Sequence, residues 1–286
     1  MTVLEIIQKG SDFLAKRGVA SPRLQVELML AHQLKIPRLR LYLDFEKPLR
    51  EEDVAALRAM VARRGDRVPL QHVLGIAPFY GLDFEVGPDV LVPRPETELL
   101  VEHGLRWLKQ RSAGAPPPSV LDYGTGSGCI AICVAKHDPQ AQVHAVDISP
   151  DALLRARANA TRLQVEPQIH FWQSDGLNAL EAQLSFDLIL SNPPYIPAAE
   201  IASLDPEVRD HDPRLALDGG EDGLTFYRRQ ASELIGALRP GGRWMCELGD
   251  GQATAVTDAL GQQNWIVEAV HPDYNATPRV LIARRE

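Results

Sequence analysis

The chain is poor in cysteine, in long apolar runs and in positive charge. Three cysteines in 286 residues, Cys129, Cys133 and Cys246, are too few and too unevenly spaced for a disulfide framework. Cys129 and Cys133 could share a helix face, but no C-x-x-C pair occurs and none of the eight histidines is spaced to complete a zinc site. No metal is expected, and the pair reads as two small buried apolar residues. No apolar stretch approaches the roughly 20 residues that span a bilayer, so no membrane association is expected. The opening MTVLEIIQKG carries Glu5 and lacks a basic n-region and a small-residue cleavage site. It does not read as a signal peptide, which makes the cytoplasm the expected compartment. A net charge of −8 excludes a protein whose main task is gripping nucleic-acid phosphates.

What is present is a globular composition, 45% hydrophobic and 24% charged, enough for one large domain or two ordinary ones. The charge is uneven. Residues 1–75 hold 13 basic and 9 acidic side chains, +4, and the remaining 211 residues hold 17 and 29, −12. That front segment reads as helices with either an ordinary solvated surface or a face for an acidic partner. Thr2-Val3-Leu4-Glu5 has the capping-box pattern. Ser21-Pro22 offers a capping serine before proline at the first helical position, ahead of Leu24, Leu28 and Leu30. Glu51-Glu52-Asp53 opens a helix running to about Arg64. Between 79 and 92 the pattern becomes alternating, with Tyr80, Leu82, Phe84 and Val86 on one face, which predicts a strand or hairpin connecting two lobes.

A helix is expected over 96–110, then a proline-rich linker from Ser112 to Ser119 without a core-forming residue larger than alanine. Beyond it strands are predicted at 119–123, 142–147, 168–174, 185–191, 241–247, 264–270 and 278–284. Helices fill most gaps, one opened by Ser149-Pro150 and another around 221–237. Alternation of this kind predicts an α/β fold, a mainly parallel seven-stranded sheet covered by helices on both faces. The expected domains are 1–75, helical; 76–95, a hairpin connector; and 96–286, the α/β unit.

Three motifs sit at predicted strand ends. Val120-Leu121-Asp122-Tyr123 runs into Gly124-Thr125-Gly126-Ser127-Gly128, a turn whose glycines allow close backbone approach to a ligand at a helix start. Its G-x-G-x-G spacing differs from the G-x-G-x-x-G of pyrophosphate binders, and Asp122 could meet a cationic amino group. Asp147 closes the next strand, 19 residues after Gly128, where an acid accepts hydrogen bonds from ribose hydroxyls. Asp175 ends the third strand beside Gly176 and either meets an adenine amine or is a turn residue. Together with the motif that follows, these features predict a class I (Rossmann-like) methyltransferase using S-adenosylmethionine. The fourth motif, Ser191-Asn192-Pro193-Pro194-Tyr195-Ile196, follows the apolar strand Phe186-Asp187-Leu188-Ile189-Leu190. An amide or aromatic-amine nitrogen is a weak nucleophile because its lone pair is delocalised. Methylating it needs two acceptors that hold both N–H bonds and aim the lone pair. Asn192 supplies a side-chain oxygen, Pro193 a carbonyl in a segment that Pro194 stiffens, and Tyr195 a ring face. Catalysis is then orientation and electrostatic preorganisation.

At these residues the chain resembles the amino-methyltransferases, whose N-P-P-Y motif also serves adenine-N6 DNA enzymes. The segments Val92-Pro93-Arg94-Pro95-Glu96-Thr97-Glu98 and Ala216-Leu217-Asp218-Gly219-Gly220-Glu221-Asp222-Gly223-Leu224 resemble more narrowly the HemK-type release-factor glutamine methyltransferases. This resemblance runs over nearly the whole chain. It implies methylation of N5 of the glutamine in the Gly-Gly-Gln motif of class 1 peptide chain release factors. It also implies cofactor contacts from Gly124, Thr125, Gly126, Ser127, Gly128, Asp147, Asp175, Gly176 and Asn192, with Asn192, Pro193, Pro194 and Tyr195 holding the glutamine amide. The helical lobe is expected to recognise the protein substrate; a monomer without stable nucleic-acid binding is expected. Two rivals share the platform, a base methyltransferase acting on a flipped-out base and a glutamine methyltransferase acting on a ribosomal protein. A third is a cofactor binder that no longer transfers methyl. Tyr123 departs from the aliphatic residue usual in the family, Gly176 from an aromatic beside the adenine, and Asp212 in His211-Asp212-Pro213 from glutamate.

Overall fold

The computed structural model describes residues 1–112, 114–181 and 183–286, so one position of the Ser112–Ser119 linker, residue 113, lies outside the described residues. Contacts divide the chain into two compact units, Met1–Ile76 with Asp205–His211, and Ala77–Leu204 with Asp212–Glu286.

The first unit contains helices α1 (Val3–Lys16), α2 (Pro22–Leu34), α3 (Glu51–Gly65) and α4 (Leu70–Leu74), and a one-turn helix Pro206–Arg209 that is α8 in chain order. The capping box of α1 is complete: Thr2 Oγ1 accepts from the Glu5 N–H and Glu5 Oε2 from the Thr2 N–H, a cap that stabilises by about 1 kcal/mol. Ser21 does not cap α2 with its side chain. Pro22 disfavours the helical conformation at the preceding residue, and Ser21 instead adopts φ 47°, ψ 50°, while Gln25 Nε2 closes the turn by donating to the Ala20 carbonyl. Of the leucines expected along α2, Leu30 is buried with Met29, and Leu24 is exposed. Ile7, Leu14, Leu41 and Leu57 belong to the same core.

The predicted hairpin consists of β1 (Ile76–Phe79) and β2 (Leu82–Glu85). Tyr80 is not in a strand: with Gly81 it forms the two-residue turn, at φ 49° and 75°, the left-handed pair that matches strand twist. Phe84 and Val86 point inward. Contacts assign the hairpin from Ala77 onward to the second unit.

The expected strands are present as β3 (Ser119–Tyr123), β4 (Gln142–Asp147), β5 (Ile169–Gln173), β6 (Phe186–Ser191), β7 (Leu238–Glu247), β8 (Trp265–Pro272) and β9 (Pro278–Arg285). Among the described residues they form one seven-stranded sheet in the order β5-β4-β3-β6-β7-β9-β8, parallel except that β9 runs antiparallel to β7 and β8. β7 starts earlier than predicted because Leu238 pairs with Phe186 before the register shifts, so that Leu188 pairs with Arg243. Helices α5 (Thr97–Lys109), α6 (Cys129–His137) and α7 (Pro150–Arg162) cover one face, with Leu100, Leu105, Ile132 and Ala160 in its core. On the other face α9 (Thr225–Leu234) and α10 (Ala253–Gly261) bury Tyr227, Leu234, Val256 and Leu260. Val120 belongs to the first core and Leu121 to the second, the period-two alternation of a strand buried on both faces. Cys129, Cys133 and Cys246 are free thiols buried in these cores, and burial pushes Cys129 up to about 12. Among the described residues no helix is long and apolar enough to cross a membrane.

Candidate active site

β3 has β4 on one side and β6 on the other, which makes its C-terminal edge the switch point where open α/β sheets take ligands. Tyr123 is level with Val146 of β4 and Ser191 of β6. The residues that follow, Gly124, Asp147 and Asn192, therefore leave the sheet side by side. They line one cleft together with Asp175, Gly176, Pro193 and Pro194.

The cofactor side of the cleft is built on the glycine turn. Gly126 takes φ 52°, and the place where its Cβ would stand has no atom within 4 Å, so the backbone faces open space there. Its N–H donates to Asp147 Oδ2 at 2.8 Å, and Ser149 N–H donates to Oδ1 at 2.9 Å. Burial pushes the Asp147 carboxyl up, against the pull of those bonds. Each carboxylate oxygen keeps a second lone pair for a hydroxyl donor. Ser149 Oγ caps α7 by accepting from Ala152 N–H, so Asp147 is not needed as the cap.

Asp122 behaves differently from the expectation that it could meet a ligand amine. It is 1% exposed and accepts from Thr125 Oγ1 at 2.6 Å and the Ala131 N–H at 3.0 Å, tying the turn to α6. Burial raises it to about 7. Thr125 and Ser127 are likewise buried, and Gly128 packs against Ile132 and Ala156. These three shape the turn and do not line the cleft.

The two departures from the family pattern explain each other. Tyr123 donates its hydroxyl to Glu233 Oε2 at 2.8 Å, Glu233 accepts from Arg229 Nε at 2.7 Å, and Arg229 Nη1 donates to Asp175 Oδ1 at 2.6 Å. This network from α9 occupies the space beside Gly176. There the backbone is left-handed at φ 69°, and a Cβ would collide with Glu233 Oε2 and Arg229 Nη2. Asp175 thus meets an arginine. With Ile148, Leu215 and Phe226 as apolar walls, the cleft fits the expected S-adenosylmethionine: an open backbone cradle, an acid for ribose and apolar surface for a base.

On the acceptor side, Ser191 fixes the end of β6, donating to Gln230 Oε1 and accepting from Trp244 Nε1. Asn192 Nδ2 donates to Thr97 Oγ1 at 3.1 Å, and Thr97 Oγ1 donates to Glu247 Oε2 at 2.6 Å. Tyr195 does not line the cofactor cleft; its hydroxyl donates to Glu247 Oε1 at 3.3 Å and its carbonyl accepts from Gln252 Nε2 at 2.8 Å. Burial pushes Glu247 up to about 7, opposed by the Thr97 bond and the Arg279 charge.

The narrower motifs acquire structural reasons. Arg94 donates to the buried Asp212 at 2.5 Å, Thr97 joins Asn192 to Glu247, and Glu98 accepts from the Tyr80 N–H. The Ala216–Leu224 segment runs back along the asparagine loop. Ile196 N–H donates to the Leu217 carbonyl, Gly219 N–H to Ile196 and Ala198 N–H to Gly220. Sequence reading placed Thr97 and Arg94 in a family segment without a role, and Glu247, Arg229, Glu233 and Gln252 were missed. The one available signal was an acid closing an apolar strand at Glu247, the same signal that marked Asp147.

Residues 5–75 match the model of the PrmC N-terminal domain, and residues 97–204 that of the methyltransferase small domain. The release factor glutamine methyltransferase of Geobacter sulfurreducens is 43% identical, covering 99% of this chain and 96% of that protein. The protein of the same name from Chlorobaculum tepidum is 43% identical over 98% and 96%. Among solved structures, a methyltransferase from Pyrococcus furiosus superposes with a TM-score of 0.52 at 20% identity, over 79% of this chain and 96% of that one. It supports the class I methyltransferase fold.

Proposed function

The chain belongs to the release factor glutamine methyltransferase family, and on that premise we propose its reaction. A methyl group passes from S-adenosylmethionine to N5 of the glutamine in the Gly-Gly-Gln motif of class 1 peptide chain release factors. When bound, that cofactor supplies an electrophilic methyl with its own leaving group, so no strong base is required of the protein. The observation that carries the reading is Asn192 beside Pro193 at the switch point, one strand from the glycine turn and two from Asp147. Asn192 and the Pro193 carbonyl accept from the glutamine NH₂, which directs the nitrogen lone pair toward the cofactor side. Pro194 stiffens the loop and Tyr195 braces it through Glu247. Gly124 and Gly126 with Asp147 hold the cofactor, while Thr125, Ser127 and Gly128 keep the turn in shape.

The test is incubation of the protein with S-adenosylmethionine and a class 1 release factor, followed by peptide mass spectrometry. A single added methyl on the Gly-Gly-Gln glutamine is expected. Transfer to a ribosomal protein or to nucleic acid, with the release factor unmodified, overturns the substrate and keeps the chemistry.

The helical unit is the natural protein-recognition element, since its residues 1–75 carry the +4 balance and nearly all of them match a domain model of their own. Reversing charge at the exposed Lys9 and Lys16 of α1 is expected to raise KM for the release factor several-fold and leave cofactor affinity unchanged. An unchanged KM removes this face of α1 from recognition.

A further inference from the structure

Asn192 can serve as an acceptor only if its amide oxygen, not its NH₂, faces the substrate. A side-chain amide is nearly symmetric in shape, so hydrogen bonding alone decides between the two orientations. The residues behind Asn192 supply that decision. Glu247, at the end of β7, is 1% exposed, and Thr97, at the start of α5, is 2% exposed.

A threonine hydroxyl has one proton. Thr97 places it 2.6 Å from Glu247 Oε2, where Glu247 in its ionised form can only accept. Toward Asn192 the Thr97 oxygen therefore presents lone pairs, and it takes a hydrogen bond from Nδ2 at 3.1 Å. The amide oxygen is left pointing away from Thr97. Tyr195 donates to the other carboxylate oxygen of Glu247, so both carboxylate oxygens are met by donors and no competing donor reaches Thr97 from that side. With a donor in place of the carboxylate, the Thr97 proton would be free to turn toward Asn192 and attract its oxygen. The amide would then present NH₂ to the substrate NH₂.

We propose that Thr97 and Glu247 are positioning residues that fix the Asn192 amide with its oxygen toward the methyl-accepting nitrogen. The proposal rests on the reading of Asn192 as an acceptor in nitrogen methylation, and neither residue touches the reacting atoms. The two carriers of this information are 150 residues apart in sequence and converge on one side chain only in the fold.

The experiment is a double-mutant cycle on the full chain, read as single-turnover methyl transfer at saturating cofactor. Thr97→Val, which keeps the shape and removes the hydroxyl, lowers kcat roughly 10- to 100-fold, the size of effect that outer partners of metal-ligating side chains have. KM for the protein substrate and the calorimetric Kd for S-adenosylmethionine stay unchanged, and Thr97→Ser recovers most of the lost rate. In an Asn192→Ala background Thr97→Val costs nothing further, because the group it orients is gone. Glu247→Gln serves as the second variant if Thr97→Val does not fold, and the same loss confined to kcat is expected of it. Wild-type kcat in Thr97→Val, or losses that multiply in full in the double variant, overturns the proposal. If the wild-type protein methylates another acceptor and not the release factor, the substrate reading fails. The cycle run on that acceptor still decides the role of Thr97 and Glu247.

Discussion

Asn192→Ala is expected to lower methyl transfer about 10²- to 10³-fold, the cost of removing one preorganised polar group that acts on the reacting atoms. The reason lies in the acceptor. An amide nitrogen reacts only when its lone pair is turned out of conjugation and toward the methyl, and two hydrogen-bond acceptors are needed to hold both N–H bonds in that pose. Alanine leaves the Pro193 carbonyl alone, and one bond does not fix a rotation. Cofactor affinity should fall far less. Asn192 lines the cleft, but Gly124, Gly126, Asp147, Ile148 and Phe226 line it too, and none of them depends on the amide. Single-turnover rates at saturating S-adenosylmethionine, with calorimetric binding on the same preparation, separate the two effects. A variant that transfers at the wild-type rate contradicts the mechanism. A loss of affinity that accounts for the whole loss of rate reassigns Asn192 to cofactor binding.

The sequence made the cleft legible because its signals are local. A glycine run after an apolar strand, an acid closing the next strand and Asn192-Pro193-Pro194-Tyr195 after a third are each contained within a few residues. Parallel pairing sets their ends level at one sheet edge. The Thr97–Glu247 bond carries no such signal. Thr97 reads as an ordinary first-turn helix residue and Glu247 as a strand end, and only the stacking of α5 on the sheet brings them together. Asp122 shows the opposite limit. An acid before a glycine turn reads equally as a ligand group or as the tie that holds the turn, and the direction of one side chain decides between them. Tyr80, a good strand former, reads as part of a strand face but occupies a left-handed turn position. Gly176 could be flagged as unusual but not explained, since the side chains that fill its space, Arg229 and Glu233, lie more than fifty positions downstream on α9.

Glu207→Ala is expected to destabilise the helical unit by about 3–5 kcal/mol, the cost of breaking a buried ion pair from one side. Glu207 lies on the one-turn helix Pro206–Arg209, which belongs to that unit although it is far from the other helices in sequence. Its carboxylate accepts from Arg64 Nη2 at 2.6 Å and from Arg67 Nε and Nη2 at 2.8 and 2.5 Å. The Arg64 side chain is only 5% exposed, so alanine would leave a largely buried cation without its counterion. Burial pushes the Glu207 carboxyl up, but the bonds from Arg67 and Arg64 outweigh it and hold it at about 2. The sign of the pH effect follows. A carboxyl with a depressed folded-state pKa contributes stability that is complete above its ordinary value of 4.5. That contribution, roughly 3 kcal/mol, is lost as pH falls from there toward 2. Because two units need not unfold in one transition, amide exchange is the right probe, read on peptides from α3 and from 205–211. Protection there should drop in Glu207→Ala at neutral pH, and the gap between variant and wild type should narrow steadily below pH 4.5. Equal protection at neutral pH would mean that Arg64 is held by Gln25, whose Oε1 it also contacts, and that the carboxylate contributes little to this unit.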